Sequence, residues 1–160
     1  MPTIIKILIF SAIIPGTFTV WLPYWAVIQK NTSQLYLNHL GIFPILLGVG
    51  LYIWCVWTFW KLGNGTPSPQ DPPKKLVVKG PYGMIRNPMY VSIFSILLGE
   101  VILFQSLLII KILIAFSLIV SLFVLYFEEP ILLKQYGSTY RHYINSVGRW
   151  LPHISIFKTH

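Results

Sequence analysis

From Met89 to Phe127 the chain is apolar for 39 residues, interrupted mainly by Gly99-Glu100, Gln105-Ser106 and Lys111. A helix that crosses a membrane needs roughly 20 residues, so this run is twice the length of one span. It predicts a helical hairpin with its turn near Phe104 to Leu108. A hairpin of two spans returns to the surface it left, so whatever precedes Met89 and whatever follows Phe127 meet on one side of the bilayer.

The composition agrees with a membrane solvent. Hydrophobic residues make up 55% of the 160 and charged residues only 10%, with a mean hydropathy of +0.68; an ordinary soluble domain carries about a quarter charged residues. The net charge of +8 arises from twelve Lys and Arg against four acids, Asp71, Glu100, Glu128 and Glu129. The cations flank apolar spans and form no stripe with interleaved aromatics, which argues against nucleic acid as a partner and for charge-directed membrane topology. Cys55 stands alone in an apolar segment, and the histidines are scattered at 39, 142, 153 and 160, so neither a disulfide nor a metal site is expected.

The expected architecture is all-α: a polytopic membrane protein of four transmembrane helices, about 4–28, 40–60, 89–104 and 108–127, with a C-terminal hairpin and an interfacial tail helix. Residues 4–28 are too long and aromatic for a cleaved signal peptide and read as a retained helix, kinked at Pro15-Gly16, with Trp21, Tyr24 and Trp25 at the headgroup level. In the second span Gly41, Gly48 and Gly50 offer close helix approach, and Trp54, Trp57 and Trp60 suit a belt or packing role. His39 reads as a solvated loop residue.

The loop 61–88 holds Lys61, Lys74, Lys75, Lys79 and Arg86, whereas the 29–39 connection holds only Lys30. The positive-inside rule therefore sets this loop, both termini and the tail 128–160 on the cytoplasmic side. Within the loop, Gly80-Pro81-Tyr82-Gly83-Met84-Ile85-Arg86-Asn87-Pro88-Met89-Tyr90 cannot be one helix, because Pro81 fixes its own φ and Pro88 restricts Asn87. Arg86 thus stands at the lip of a membrane helix, either as a lipid anchor or as part of a site for an anionic or zwitterionic ligand.

The acidic pair Glu128-Glu129, just before Pro130, admits two readings. Alone it is a solvated helix terminus, with Pro130 opening a fresh helix. Side chains of adjacent helical residues point about 100° apart, so the two serve different partners. The hairpin returns them to the surface that carries Arg86, Asn87 and Tyr90, where charges of both signs would suit a cofactor bearing a carboxylate and an ammonium. Glu100, deeper in the hairpin, is expected to pair with Lys111 across the turn.

Two stretches together carry a family resemblance. Gly80-Pro81-Tyr82 with Arg86-Asn87-Pro88-Met89-Tyr90 and Leu97-Leu98-Gly99-Glu100 form the first. Tyr126-Phe127-Glu128-Glu129-Pro130, then Tyr136-Gly137, Tyr140, Tyr143 and Arg149-Trp150-Leu151-Pro152, form the second. In this order and spacing, over residues 79–152, they resemble the core of the isoprenylcysteine carboxyl methyltransferase and phospholipid methyltransferase superfamily. The resemblance implies an enzyme that binds S-adenosylmethionine within its membrane domain and methylates a lipophilic small molecule or lipid drawn from the bilayer. It implies cofactor contacts from Tyr82, Arg86, Asn87, Tyr90, Glu128 and Glu129, with Tyr140 and Tyr143 closing over the site.

The family often has His at the place of Asn87 and Gly at the place of Ser92. Its eukaryotic isoprenylcysteine members carry an arginine about one turn before the acidic pair, where this chain reads Leu122-Phe123-Val124-Leu125-Tyr126. Arg149 or Arg141 in the tail would have to substitute. The expected catalytic residues are accordingly Arg149, to hold a carboxylate acceptor, and Glu129, as base or ammonium holder for an amine acceptor such as a phosphatidylethanolamine headgroup. The rival readings are a non-enzymatic lipid-binding module, with Arg86 and the lysines on anionic lipid, and a redox protein, for which no nicotinamide or haem site is found.

Overall fold

The computed structural model describes residues 15–28, 38–62 and 76–152. Among these every regular element is helical. Helix α1 is Leu22–Ile28 and follows a π turn, Thr17–Trp21. Helix α2 is Ile42–Leu62, led in by a 3-10 turn at His39–Gly41. The hairpin is α3, Pro88–Phe104, and α4, Leu107–Phe123. A second π turn, Val124–Glu128, leads into α5, Glu129–Tyr136, and Gly137 separates that from α6, Ser138–Ser146. The first half of the expected 4–28 span, most of the 29–39 connection and residues 63–75 lie outside the described residues.

Two continuous helical stretches among the described residues are long and apolar enough to cross a membrane, His39–Leu62 and Leu107–Tyr136. The third expected span is shorter. At 17 residues α3 is about 26 Å long, a little less than the ~30 Å hydrocarbon thickness.

The hairpin turn falls at Gln105-Ser106. Gln105 takes a left-handed conformation, φ 47° and ψ 45°, and its N–H donates to Val101 O at 2.9 Å, an αL stop to α3. Ser106 is extended and starts α4. Beyond that, the chain does not break where Pro130 suggested. The N–H of Glu129 reaches back five residues to Val124 O, and the helix runs through Pro130 to Tyr136. A proline ring crowds the carbonyl four residues before it and supplies no N–H; the widened turn ahead of Pro130 removes that conflict without ending the helix.

Helices α2 and α3 pack closest. A Cβ on Gly48 would lie 2.6 Å from Ser92 O, and one on Gly99 would lie 2.5 Å from Gly41 O. Seven residues on in α2 correspond to seven back in α3, as antiparallel neighbours require, and Ser95 Oγ stitches the seam to Pro44 O at 2.7 Å. Gly50, expected in this seam, faces open space instead. On its other side α3 presents Ile93 and Leu97 to Phe116, Val120 and Val124, and Phe18 of the first π turn caps this core against Phe116 at 4.7 Å between ring centroids. Trp54, Trp57 and Trp60 are about half exposed, as a lipid-facing row would be.

Glu100 is not paired with Lys111. It continues the inward stripe Ile93, Leu97 by helical spacing and its Oε2 is buried without a hydrogen-bond partner, whereas Lys111 lies on the exposed side of α4. The two charges sit on different faces, so closeness across the turn does not join them.

Candidate functional site

The segment before α3 is shaped by its glycine and prolines. Gly80 has φ +61°, and a Cβ there would also press on Thr58 Oγ1 at 3.0 Å. A 3-10 turn over Gly80–Gly83 follows, with Pro81 O accepting from the N–H groups of Met84 and Ile85. The chain then straightens, so that Arg86 and Asn87 flank the start of α3 and Tyr90 lies one turn inside it.

The acids arrive from the opposite arm. Tyr90 Oη donates to Glu128 Oε2 at 3.0 Å. Glu129 Oε1 accepts from Arg86 Nη1 at 2.9 Å and from Arg149 Nε at 2.8 Å, while its Oε2 accepts from Arg149 Nη2 at 2.9 Å. The two adjacent carboxylates thus serve different partners, as their angular separation requires. The Arg86 side chain is 8% exposed and Glu129 14%, but Arg149 is 35% exposed. Arg149 is therefore the member of the triad open to water. Arg86 Nε, by contrast, is buried with no hydrogen-bond partner.

The tail is laid across this cluster as a strap. The N–H of Arg86 donates to Gly148 O at 2.8 Å, beside a parallel bridge between Ile85 and Gly148, and Asn87 Nδ2 donates to Arg149 O at 3.3 Å. Helix α6 buries Tyr140 and Tyr143, whose rings lie 6.0 Å apart. Burial pushes the Tyr140 phenol up to about 12, helped by Glu129 and opposed by the neighbouring Arg86 guanidinium. Burial also raises Tyr143, whose hydroxyl donates to Tyr82 O at 2.6 Å. The hydrogen bonds to Glu129 hold Arg149 above the usual guanidinium range.

The family model for phospholipid methyltransferases matches residues 37–139. The chain belongs to the phospholipid methyltransferase family. Searches of curated proteins and of solved structures find no match. The matched region begins just before α2 and ends in α6, so it holds both arms of the hairpin, the Arg86 turn and the acidic pair. Membership of this family gives a membrane methyltransferase, and the redox reading falls away.

Within that family assignment, the structure gathers Arg86, Asn87, Tyr90, Glu128, Glu129, Tyr140 and Arg149 at the open end of the hairpin. Tyr143 joins them through α6. Tyr82 borders the cluster from beneath: its side chain packs with Cys55 and Val77 against Phe59, and its phenol is held up by burial first, then by Cys55, Glu128 and Tyr143. Its carbonyl accepts from the Tyr143 hydroxyl of the tail. Sequence reasoning placed Trp150 in the second motif but gave it no role; the strap carries it into the hairpin against Tyr90 and Phe94. The signal was present in Arg149-Trp150-Leu151-Pro152, a large apolar side chain in a basic tail. A separate apolar cleft of about 160 Å³ opens between the first π turn, α2 and α3, beside Thr19 and Ile93; it is small for a ligand, since such pockets run to about 300 Å³ or more.

Proposed function

We propose that this chain is an S-adenosylmethionine-dependent methyltransferase acting on a lipophilic acceptor drawn from the bilayer, with its site at the cytoplasmic open end of the hairpin. The observation that carries this reading is the cluster Arg86–Glu129–Arg149 with Glu128–Tyr90 beside it. It offers guanidiniums for a carboxylate and carboxylates for an ammonium, the two charges of the cofactor's amino-acid end. The partnerless, buried Arg86 Nε is a donor in want of an anionic oxygen.

When bound, S-adenosylmethionine supplies an electrophilic methyl group: the acceptor's lone pair forms the new bond to carbon while the carbon–sulfur bond breaks and its electron pair stays on sulfur. The protein's part is to align the reactants and exclude water, and positioning alone supplies on the order of 7 to 11 kcal/mol. Arg86 and Arg149 orient a carboxylate, and Tyr140 and Tyr143 roof the cluster as neutral phenols. Glu129, with both oxygens committed to two guanidiniums, serves as the anchor of the charged network. Glu128, held by the one hydroxyl of Tyr90, is the better placed carboxylate to hold or deprotonate an acceptor ammonium.

That assignment favours an amine acceptor of the phospholipid headgroup kind, in keeping with the family's description. A prenylated cysteine carboxylate is the second reading, supported by Arg149, the exposed guanidinium of the cluster. Purified protein should bind S-adenosylhomocysteine stoichiometrically and transfer labelled methyl from S-adenosylmethionine to phosphatidylethanolamine vesicles. Absence of binding in a folded sample would overturn the proposal, and labelling of a farnesylcysteine acceptor alone would replace the amine reading with the carboxyl one.

A further inference from the structure

Trp150 stands where the charged cluster meets the apolar interior of the hairpin. Its ring centroid lies 6.4 Å from that of Tyr90 and 5.7 Å from that of Phe94, both edge-on, and it packs against the core formed by α3 and α4. Among the described tail residues it alone enters that core. The two residues just before it are fixed. Gly148 O takes the N–H of Arg86, Arg149 O takes Asn87 Nδ2, and the Arg149 side chain is clamped to Glu129.

Resting on the methyltransferase reading above, we propose that Trp150 is the residue that recognises the positive charge of the methyl donor, through the face of its indole. A donor whose amino-acid end occupies the arginine and glutamate cluster must direct its methyl group away from the cluster, towards the apolar acceptor. The sulfonium then lies at the junction. There both oxygens of Glu129 are committed to Arg86 and Arg149, Glu128 bonds Tyr90 and is assigned to the acceptor, and the groups packed against the hairpin core are the aromatic Tyr90, Phe94 and Trp150. A tryptophan face is the best aromatic partner for a cation, and desolvation strengthens the attraction. Transfer converts the sulfonium to a neutral thioether, so the same indole favours substrate over product and assists turnover. A filler of the core would show no such charge preference.

Titration calorimetry of the full chain in detergent, with S-adenosylmethionine and with S-adenosylhomocysteine, tests this on the wild type, Trp150→Phe and Trp150→Leu. Trp150→Leu should weaken S-adenosylmethionine about 3- to 30-fold and leave S-adenosylhomocysteine within about twofold, with Trp150→Phe between. A parallel loss of both ligands, or no change in either, would overturn the role assigned to Trp150 while leaving the cofactor reading intact. A wild type that binds neither ligand would overturn the methyltransferase reading, and this inference with it. Trp150→Phe, which keeps an aromatic ring, supplies the comparison if the leucine variant does not fold.

Discussion

Arg149 grips Glu129 through two parallel hydrogen bonds, Nε to Oε1 at 2.8 Å and Nη2 to Oε2 at 2.9 Å. This fork ties the tail strap to a residue on the far arm of the hairpin, and the shared oxygen extends the tie to Arg86 on the near arm. Three segments that are distant in sequence are thereby locked by one carboxylate. The paired geometry is specific to arginine, since a lysine ammonium offers no planar fork.

The two arginines should differ in what they contribute to stability. Arg86 is 8% exposed and its loss leaves a nearly buried carboxylate short of a partner, whereas Arg149 is 35% exposed and screened by water. Breaking a buried pair costs about 3 to 5 kcal/mol, and an exposed pair is worth about 1 kcal/mol or less. Thermal unfolding in detergent should therefore fall much further for Arg86→Ala than for Arg149→Ala. Equal losses would show that the burial of the Arg86 bond is not what matters.

Tyr90→Phe removes the hydroxyl that Glu128 accepts from and leaves every ring contact in place. Losing one such charged hydrogen bond costs about 1.5 to 3 kcal/mol, which predicts methyl transfer to phosphatidylethanolamine slower by about 10-fold or more, with little change in the far-ultraviolet circular dichroism. Unchanged transfer would remove the Glu128–Tyr90 pair from the site.

Much of this arrangement was legible before any coordinates, for one physical reason. A 39-residue apolar run has to fold back on itself, and its return brings Glu128 and Glu129 to the surface of Arg86, which favoured a site over a lipid anchor and a solvated helix terminus. A turn near Phe104 to Leu108 and the meeting of the two motifs followed from the length of the run and its polar interruption at Gln105-Ser106. What could not be read were features that depend on rotation about a helix axis. Lys111 and Glu100 are near in sequence but lie on different faces, and Gly50 points away from the seam that Gly41 and Gly48 build. Pro130 misled because a π turn can absorb a proline, and nothing local to the sequence announces the shift from Val124 to Glu129 in hydrogen bonding. The placement of Trp150 could not be read for a different reason: it is set by hydrogen bonds from the Arg86 N–H and the Asn87 side chain to the strap, which link residues some 60 apart.

The membrane sidedness can be tested with single cysteines, because Cys55 is wholly buried and should resist an impermeant maleimide. His39, at the entry to α2, and Arg141, on α6, are both exposed. They belong to opposite ends of the helices. In right-side-out vesicles His39→Cys should label and Arg141→Cys should not, with the pattern reversed in inverted vesicles. Labelling of both from one side would refute the cytoplasmic placement of the site.

The glycine seam gives the clearest contrast between two residues of one type on one helix. Gly48 lies under Ser92 and Ile96, where a Cβ would come within 2.6 Å of a backbone oxygen, and Gly50 meets nothing within 4 Å. Backbone oxygens cannot swing aside as side chains do, so Gly48→Ala must spread α2 from α3 and loosen the packing that positions Asn87 and Tyr90 at the start of α3. Overpacking of this kind costs about 1 to 3 kcal/mol. Gly50→Ala gains the better helix propensity of alanine, about 0.8 to 1 kcal/mol, with no steric cost. Thermal unfolding in the same detergent should therefore move in opposite directions for the two variants, down for Gly48→Ala and level or up for Gly50→Ala, and S-adenosylhomocysteine binding should suffer only in the first. Destabilisation of both to the same extent would mean that the α2–α3 register drawn from Gly41, Gly48, Ser92 and Gly99 is wrong.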